Sequence, residues 1–418
     1  MTENSEAACY EAIIHLLSGP GSIFASRNSH LPPVDWVAPE SVDWEQLWQI
    51  ANRERVVPLL YRATRRMADL PDWWQERCRA EYQKTGILNT LRFRELSALL
   101  ADLRLAGLKI IVLKGVALVE LIYGNPALRP MVDLDLLIHK DDVRQAIDIF
   151  AGRGYRVHGH EIAIGSTLAY ENEVALRKET LHGWQIELHW GLFDSPYYQS
   201  HLPEDEWWRT SIALTINGEP AFCLSPEWTL IHLCGHLTFH HHGEGLLWWH
   251  DLAALLQMYE SEINWDYVIT QVQAADVVLP LKEILPRLET EWGVSIAPEI
   301  TARLQGTMPK PEEIEMNRVL AGRGLSPGQR MLIDVRGFRS WHERFRFFVH
   351  NLFPSAAYMD ARYDIAHPVT RPFYYVYRWL LGFSGVFRDF LYHRIALGGK
   401  NAGGFRSSHP SRPREKSE

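Results

Sequence analysis

The stretch RPMVDLDLLI, residues 129–138, carries two aspartates two positions apart inside an apolar run. Such a run predicts a buried β-strand, whose side chains alternate between the two faces of a sheet. Asp133 and Asp135 are therefore expected to point the same way, roughly 6–7 Å apart along the backbone. Two carboxylates this close repel each other and lose hydration, so the pair predicts either a raised pKa or a bound divalent cation. The opposite face of the strand is expected to pack on a core through Val132, Leu134 and Leu136.

A third acid follows in GWQIELHW, residues 183–190. On an alternating strand Glu187 lies on the face opposite to its apolar neighbours, and from an adjacent strand it could complete a carboxylate triad. Glu171 and Glu173 compete for this place. Hard cations prefer carboxylate oxygens, and magnesium takes one or two carboxylates together with substrate phosphates. The triad of Asp133, Asp135 and Glu187 therefore predicts a catalytic site for Mg²⁺ (or Mn²⁺), which would activate a nucleophile and stabilise a leaving oxygen.

Phosphate-binding residues are predicted upstream of the aspartates. The run LKIIVLKGVAL, residues 108–118, predicts a strand that ends at Lys114 and Gly115 and leads into a helix. A glycine at such a turn lets a phosphate approach the backbone, the helix N-terminus supplies N–H groups, and Lys114 adds positive charge. Arg129 could hold phosphate oxygens with its planar guanidinium. Lys114, Gly115 and Arg129 are therefore the predicted nucleotide- and phosphate-binding residues.

The rest of the chain is expected to place helices around this segment. Apolar residues at helical spacing, with Asp43 as a cap and Gly107 as a stop, predict an N-terminal helical region over residues 1–106. Short alternating runs, ending in an Asn217-Gly218 hairpin turn, predict a catalytic core over residues 107–224. The fold class is therefore α+β with an α/β core, in which a small mixed β-sheet is flanked by N-terminal and C-terminal helices. Beyond the core we expect a helical domain packed on it (225–310), a C-terminal helical region (311–400) and a disordered basic tail (401–418).

Composition narrows the class of protein. At 418 residues the chain is too long for a single core, and 46% hydrophobic with 22% charged residues is typical of a soluble globular protein. A formal net charge of -8 argues against a general nucleic-acid binder, which needs a basic surface. Four scattered cysteines without a CxxC pair predict reduced thiols. Without a signal-peptide pattern or an apolar run of about 18–20 residues, we expect a cytoplasmic protein that has no transmembrane segment.

Several segments together resemble one protein family. They are LKGVAL, YGNPALRPMVDLDLLI, AIDIFAGRGY and IELHW, followed by SPEWTLIHLCGHLTF and LLWWHDLAALL, within residues 85–290. They closely resemble the largely uncharacterised bacterial nucleotidyltransferase family of the DNA polymerase β-like superfamily. The resemblance implies that Asp133 and Asp135 are the metal ligands, that Glu187 is the third carboxylate and that Gly115 belongs to the phosphate turn. The sequence departs from the wider superfamily at Val116, where a serine usually follows the glycine, and in a longer gap before the DxD.

The predicted function is that of a metal-dependent nucleotidyltransferase, which moves a nucleoside monophosphate from an NTP to an acceptor hydroxyl. ATP is the expected nucleotide, and the acceptor is a protein, a small molecule or an RNA end. The segment RGFRSWHERFRFFVHNLF, residues 336–353, is basic and amphipathic, and an aromatic run follows from Phe373. Both allow peripheral contact with a membrane through the C-terminal region, although a solvated helix face or a buried helix is the commoner outcome.

Two other functions remain open. The departure at Val116 is compatible with a catalytically degenerate nucleotide-binding or scaffold protein. The histidine-rich segment HLCGHLTFHHH, residues 232–242, places His232 and His236 one helical turn apart. With Asp251 they offer the ligand types of a His/Asp metal phosphohydrolase, although a packing role is the commoner use of such histidines.

Overall fold

A seven-stranded mixed β-sheet lies at the centre of the chain. The computed structural model describes residues 3–19, 42–67, 70–158, 172–180, 183–193, 195, 197–198, 202–321, 334–335, 337–338 and 340–381. The strands are β1 (Ile110–Val112), β2 (Leu134–Ile138), β3 (Arg156–Val157), β4 (Glu173–Lys178), β5 (Trp184–His189), β6 (Ile212–Ile216) and β7 (Glu219–Cys223). Their order across the sheet is β3-β4-β5-β2-β1-β7-β6. β2 runs parallel to β5 and antiparallel to β1, so the predicted mixed sheet is confirmed.

Helices cover the sheet and extend the chain on either side of it. They are α1 (Glu3–Ser18), α2 (Trp44–Arg53), α3 (Val57–Thr64), α4 (Asp72–Leu105), α5 (Lys114–Leu118), α6 (Val143–Gly152), α7 (Glu204–Arg209), α8 (Pro226–Phe239), α9 (Leu246–Met258), α10 (Trp265–Ala274), α11 (Val278–Trp292), α12 (Pro298–Gly306), α13 (Pro311–Leu320), α14 (Trp341–Leu352) and α15 (Ala356–Tyr363). A further helix is described over residues 371–381. The α+β class, with helices on both sides of the core in sequence, is therefore confirmed.

Local signals in the sequence explain where several elements begin and end. The Asp43 side chain accepts hydrogen bonds from the first turn of α2, as a capping residue does. Ser225 caps α8 in the same way, with Pro226 at the first helical position. Asn217 and Gly218 both have positive φ, 48° and 85°, which is the conformation that a two-residue hairpin such as β6-β7 requires.

The two faces of the sheet pack on different hydrophobic clusters. In β2, Leu134, Leu136 and Ile138 belong to a cluster completed by α4 and α6. Leu137 faces the other way, into a larger cluster that joins α1–α3 to α8–α11. Residues before the sheet and residues after it thus share one core, and Asp135 lies on the same face of β2 as Leu137. The proposed domain boundaries stay a prediction.

One expectation about the DxD strand is wrong. Val132 was expected to face a core, but it is 58% exposed. The pairing of β2 with β5 begins only at Leu134, so Val132 and Asp133 lie in a bend before the strand rather than within it. Leu134 and Leu136 are buried as expected.

The C-terminal helices leave apolar side chains exposed. Between residues 341 and 381 these include Trp341, Phe345, Phe353, Phe373 and Leu380. Within the described ranges no helix is both long and apolar enough to span a bilayer. Contact with a membrane surface stays a prediction, and the predicted disordered tail, residues 401–418, lies outside the described residues. All four cysteines are buried and carry free thiols.

Candidate active site

Strands β2 and β5 place two of the predicted acids side by side. Asp135 is the register partner of Glu187 in the parallel pairing of these strands. His189 follows two residues after Glu187 and so points to the same face of β5. One possible ligand atom from each of Asp135, Glu187 and His189 lies within 4.8 Å of the others. The central strands therefore bring together a carboxylate pair and an imidazole at a spacing that suits a metal ion.

Two cationic side chains contact Asp135, which is only 5% exposed. Lys114 Nζ donates a hydrogen bond to Asp135 Oδ1 over 2.8 Å. His189 Nε2 contacts the same oxygen at 3.0 Å. Burial opposes ionisation of this carboxyl, but Lys114 and His189 outweigh it and hold the pKa of Asp135 well below its usual range. Asp135 is therefore a buried carboxylate that is negatively charged at neutral pH.

His189 links this carboxylate to β4. Its Nδ1 lies 3.0 Å from Oε2 of Glu173, which is its register partner in the pairing of β4 with β5. Burial opposes protonation, but Glu173 and Asp135 raise the pKa of His189 to about 9. An imidazolium at this position donates one hydrogen bond to each acid. His189 was not among the site residues predicted from the sequence, although the E-x-H spacing in β5 places it on the same face as Glu187.

Asp133 and Glu187 are less well compensated than Asp135. In the part of the chain that the structure describes, no hydrogen bond or ion pair of the Asp133 carboxylate is found, and burial together with the charge of Asp135 raises its pKa. Burial and the charges of Asp135 and Asp133 raise the pKa of Glu187 to about 7. Gln185 Nε2 donates to Glu187 Oε1 over 3.0 Å. The cluster therefore has more negative charge than Lys114 and His189 balance, and a divalent cation would relieve the repulsion.

The first residue of α5 has an unusual backbone conformation. Lys114 has a φ of +41°, in the left-handed region that non-glycine residues rarely adopt and that clusters at functional sites. A Cβ on Gly115 would lie 2.8 Å from Nη1 of Arg129. Glycine leaves room here for the Arg129 guanidinium to pack against the backbone. The predicted role of Gly115 in phosphate binding stays a prediction.

Arg129 forms a buried ion pair with the helices that cover the sheet. Its Nε and Nη2 donate to the carboxylate of Asp251 in α9, with a shortest distance of 2.7 Å. The hydroxyl of Tyr123 donates to the same carboxylate over 2.5 Å and lies 2.9 Å from Nδ1 of His250. Arg129 is 5% exposed and Asp251 is fully buried. This contact anchors the DxD segment to α9, and the predicted phosphate role of Arg129 stays a prediction.

The histidine-rich segment does not assemble the alternative metal site. Asp251 is engaged by Arg129, and neither ring nitrogen of His232 has a hydrogen-bond partner among the described residues. His236 Nε2 lies 3.0 Å from Nε2 of His241. Burial lowers the pKa of His232 and His236 well below the usual value, so both rings are neutral. Asp135, Glu187 and His189 are the group of metal-ligand type found in the described ranges, and they lie elsewhere.

Comparison with known proteins identifies the family. The sequence matches the family described as "Uncharacterised nucleotidyltransferase" over residues 40–288, which is more than half of the chain and includes all the site residues named above. A nucleotidyltransferase-like antigenic protein of known structure from Paracoccidioides brasiliensis is 21% identical. Its alignment covers 50% of this chain and 96% of that chain, with a TM-score of 0.31. The comparison with curated proteins gives no match. The family match confirms the resemblance seen in the sequence segments, and the chain belongs to the uncharacterised nucleotidyltransferase family.

Proposed function

We propose that this protein is a metal-dependent nucleotidyltransferase, which transfers a nucleoside monophosphate from an NTP to an acceptor hydroxyl. One observation carries the proposal. Asp135 and Glu187 are register partners on parallel central strands, and their carboxylates converge with His189 within 4.8 Å. The family match places the chain among nucleotidyltransferases, and this cluster supplies a site where such chemistry can occur.

The donor set fits a divalent cation. Asp135 and Glu187 would hold it, and His189 would join them in its neutral form, after Nε2 has released its proton, because a metal ligand needs a free lone pair. Asp133 lies in the bend before β2, close enough to Asp135 for the two charges to interact. Carboxylates suit Mg²⁺, whereas an imidazole ligand is more usual for Mn²⁺ and other transition metals, so both ions belong in any assay. When bound, the ion would polarise the phosphate and stabilise the leaving oxygen.

The side chains have separate parts in the transfer. Lys114, on its strained turn, would bind a phosphate of the nucleotide, which we take to be ATP. Glu187 would orient the acceptor hydroxyl and accept its proton as the oxygen attacks the α-phosphorus. A bond forms between the acceptor oxygen and the α-phosphorus, and the bond from that phosphorus to the bridging oxygen breaks. The electron pair leaves with pyrophosphate.

Asp133→Asn is the variant that tests this proposal most cleanly. The Asp133 carboxylate has no partner to lose among the described residues and is repelled by Asp135, so the variant should fold with unchanged or higher stability. We expect pyrophosphate release to fall at least about 100-fold, because a charge that holds metal-bound nucleotide is removed. Purified protein is incubated with each of the four labelled NTPs, Mg²⁺ or Mn²⁺, and cell lysate as the source of acceptor.

Asp141→Asn is the matched control. Asp141 lies eight residues later, exposed in the connection between β2 and α6, so the same change there should leave transfer intact. Full metal-dependent transfer by Asp133→Asn would overturn the proposal. Asp135→Asn is a weaker test, because it leaves Lys114 and His189 without their shared carboxylate and destabilises the fold as well.

A second candidate is a nucleotide-binding or scaffold protein without turnover. Two observations favour it: Lys114 and His189 already compensate Asp135, and Val116, where the superfamily usually has serine, is 1% exposed. Calorimetry with ATP and Mg²⁺, followed by an assay for pyrophosphate, separates the two functions. Binding without any pyrophosphate release, in the presence of lysate, would favour the scaffold.

A further inference from the structure

A cavity of about 990 Å³ lies between the N-terminal helices and the helices that cover the sheet. Its walls come from α1, the end of α2 and the connection to α3, the loop over residues 240–245, the start of α9, and α11. The volume is within the range of small-molecule sites. Three arginines and three glutamates line the cavity, together with histidine and aromatic side chains such as His241, Trp248 and Trp292; the charged residues are Arg53, Arg55, Arg287, Glu54, Glu244 and Glu291.

Arg55 differs from the other arginines of this cavity. Arg53 pairs with Glu6 at 3.0 Å, and Arg287 pairs with Glu291 at 2.8 Å. The guanidinium of Arg55 lies 4.7 Å from the ring centre of Trp248, but it has no hydrogen bond or ion pair within the described ranges. Burial lowers its pKa, which reflects the cost of a charge that lacks a partner. An anion entering the cavity would supply that partner.

The backbone and the neighbours of Arg55 hold it in this position. Its φ is +59°, in the region that non-glycine residues rarely occupy and that marks functional or strained sites. Trp248, which the guanidinium covers, also stacks on His241 with 3.5 Å between the ring centres. The side chain is therefore packed against a fixed aromatic surface and does not depend on an acid for its orientation.

Three residues that line the cavity, Arg55, His240 and His241, lie near enough to the proposed active site for their charges to interact with it. Arg55 lies close enough to Asp133 for the two charges to interact, and His241 interacts in the same way with Lys114. Glu173 contacts the candidate metal ligand His189; burial raises the pKa of Glu173, and His189, Lys114 and, most weakly, the lining residue His240 lower it. A molecule that contacts Arg55 in the cavity therefore lies near the acids of the proposed active site.

We propose that this cavity is the acceptor pocket, and that the acceptor is a phosphate-bearing small molecule whose phosphate binds Arg55. A planar guanidinium binds phosphate oxygens in a two-pronged contact, and a cavity of about 990 Å³ has the size of a small-molecule site. The acceptor hydroxyl then points towards Asp133 and Glu187. The assignment as an acceptor pocket rests on the proposed function, whereas anion binding at Arg55 does not require turnover.

Binding of inorganic phosphate without metal tests the anion site. Titration calorimetry compares the intact protein with Arg55→Ala, Arg55→Lys and Arg53→Ala. We expect Arg55→Ala to weaken phosphate binding at least tenfold, because it removes the unpaired cation, and Arg55→Lys to restore part of the affinity. Arg53→Ala removes the same charge from the same cavity but from an existing ion pair, so its effect should stay within about twofold. Equal affinities for the intact protein and Arg55→Ala would overturn the proposal, and so would equal losses in both alanine variants.

Two further measurements complete the test. The first asks whether the cavity binds the acceptor or the nucleotide, and the second separates failure of the anion site from failure of the proposed function. Binding of ATP with Mg²⁺ should be unchanged in Arg55→Ala, and a tenfold loss would assign the cavity to the triphosphate and overturn the acceptor assignment. Asp133→Asn should bind inorganic phosphate at least as tightly as the intact protein, because a nearby negative charge is gone. If Asp133→Asn retains transfer while Arg55 is needed for phosphate binding, the proposed function fails and the anion site stands. If Asp133→Asn loses transfer while Arg55→Ala binds phosphate as tightly as the intact protein, the anion site fails and the proposed function stands.

Discussion

Two buried ion pairs join the DxD region to its surroundings, and they differ in how completely the acid is satisfied. Asp251 receives three contacts from Arg129 and one from Tyr123, so both of its oxygens are engaged. Asp135 receives Lys114 and His189 on the same oxygen, Oδ1. The first pair is closed to further ligands. In the second, Asp135 Oδ2 has no hydrogen bond among the described residues, and two more acids, Asp133 and Glu187, lie nearby.

The difference shows which of two similar motifs holds the fold together and which can do chemistry. A bidentate pair with every acceptor used has fixed geometry and no capacity for a metal. A lysine that makes one contact to a carboxylate, beside further acids, can give up that place to a metal cation. It can also leave the carboxylate and bind a substrate phosphate instead. Burial alone does not separate the two, because Arg129, Asp135 and Asp251 all have at most 5% of their surface exposed.

The largest effect on stability is expected from Asp251→Asn. The change leaves the buried Arg129 without an anionic partner, and breaking a buried pair in this way costs about 3–5 kcal/mol. Urea unfolding of the purified protein, followed by far-UV circular dichroism, measures the loss. Glu291→Gln is the control, because it breaks the exposed Arg287–Glu291 pair one turn apart in α11 and should cost no more than about 0.5 kcal/mol. A loss below about 1 kcal/mol in Asp251→Asn would show that the Arg129 pair does not hold α9 on the sheet.

Local patterns predicted the sheet, but they did not predict these pairs. Alternation and short β-branched runs are properties of neighbouring residues, which is why β1, β2, β5 and the β6-β7 hairpin fall where the sequence predicted strands or a hairpin turn. Arg129 and Asp251 are 122 residues apart, and neither residue's neighbours indicate the other. The sequence therefore suggested a phosphate contact for an arginine that the fold places against a helix.

Local alternation also predicted part of the candidate site. The pairing of Asp135 with Glu187 follows from two alternating strands that become neighbours, which a fold resemblance can suggest. His189 could have been predicted as well, since its spacing from Glu187 already places both side chains on one face of the strand. Arg55 gave no local signal, because its importance comes from a cavity formed by helices far apart in the sequence. The exposure of Val132 depended on where strand pairing stops, and the apolar pattern does not show that.

A smaller effect on stability is expected at Glu313, a buried acid that no cation contacts within the described ranges. Its carboxylate accepts a hydrogen bond from the backbone N–H of Leu279 over 2.7 Å, yet burial raises its pKa to about 7. The folded chain therefore keeps this proton up to about pH 7, whereas the unfolded chain releases it near the ordinary value of 4.5. Stability from this group is fully present below pH 4.5 and is lost as the pH rises to 7, by on the order of 2–3 kcal/mol.

Glu313→Gln should remove this pH dependence. Glutamine keeps an oxygen for the Leu279 hydrogen bond but carries no titrating proton. The free energy of unfolding, measured by urea titration between pH 4.5 and 8, should fall less steeply in the variant than in the intact protein. Glu312→Gln is the control, because the neighbouring side chain is exposed and should leave the pH profile as it is. Identical profiles for Glu313→Gln and the intact protein would mean that a buried acid needs no cation to ionise normally in this fold.

The smallest effect is expected from Lys114→Met, and it tests whether the open pair is exchangeable. Lys114 Nζ lies 2.8 Å from Asp135 Oδ1 and therefore competes with a divalent cation for this oxygen. Removing a unit positive charge at this distance should strengthen binding of Mn²⁺ at least about tenfold, even with strong solvent screening. The concentration of free Mn²⁺, followed by electron paramagnetic resonance during a titration, gives the affinity directly.

Lys109→Met makes the same change in net charge just before β1 instead of just after it. Lys109 Nζ donates to the carbonyl of Trp208 and to the hydroxyl of Ser211, so its removal should leave Mn²⁺ affinity within about twofold. Tighter binding in both variants would mean that total charge, rather than competition for Asp135, sets the affinity. Unchanged or weaker binding in Lys114→Met would mean that Lys114 is as firmly held as Arg129, and the contrast between a closed pair and an exchangeable pair would no longer stand.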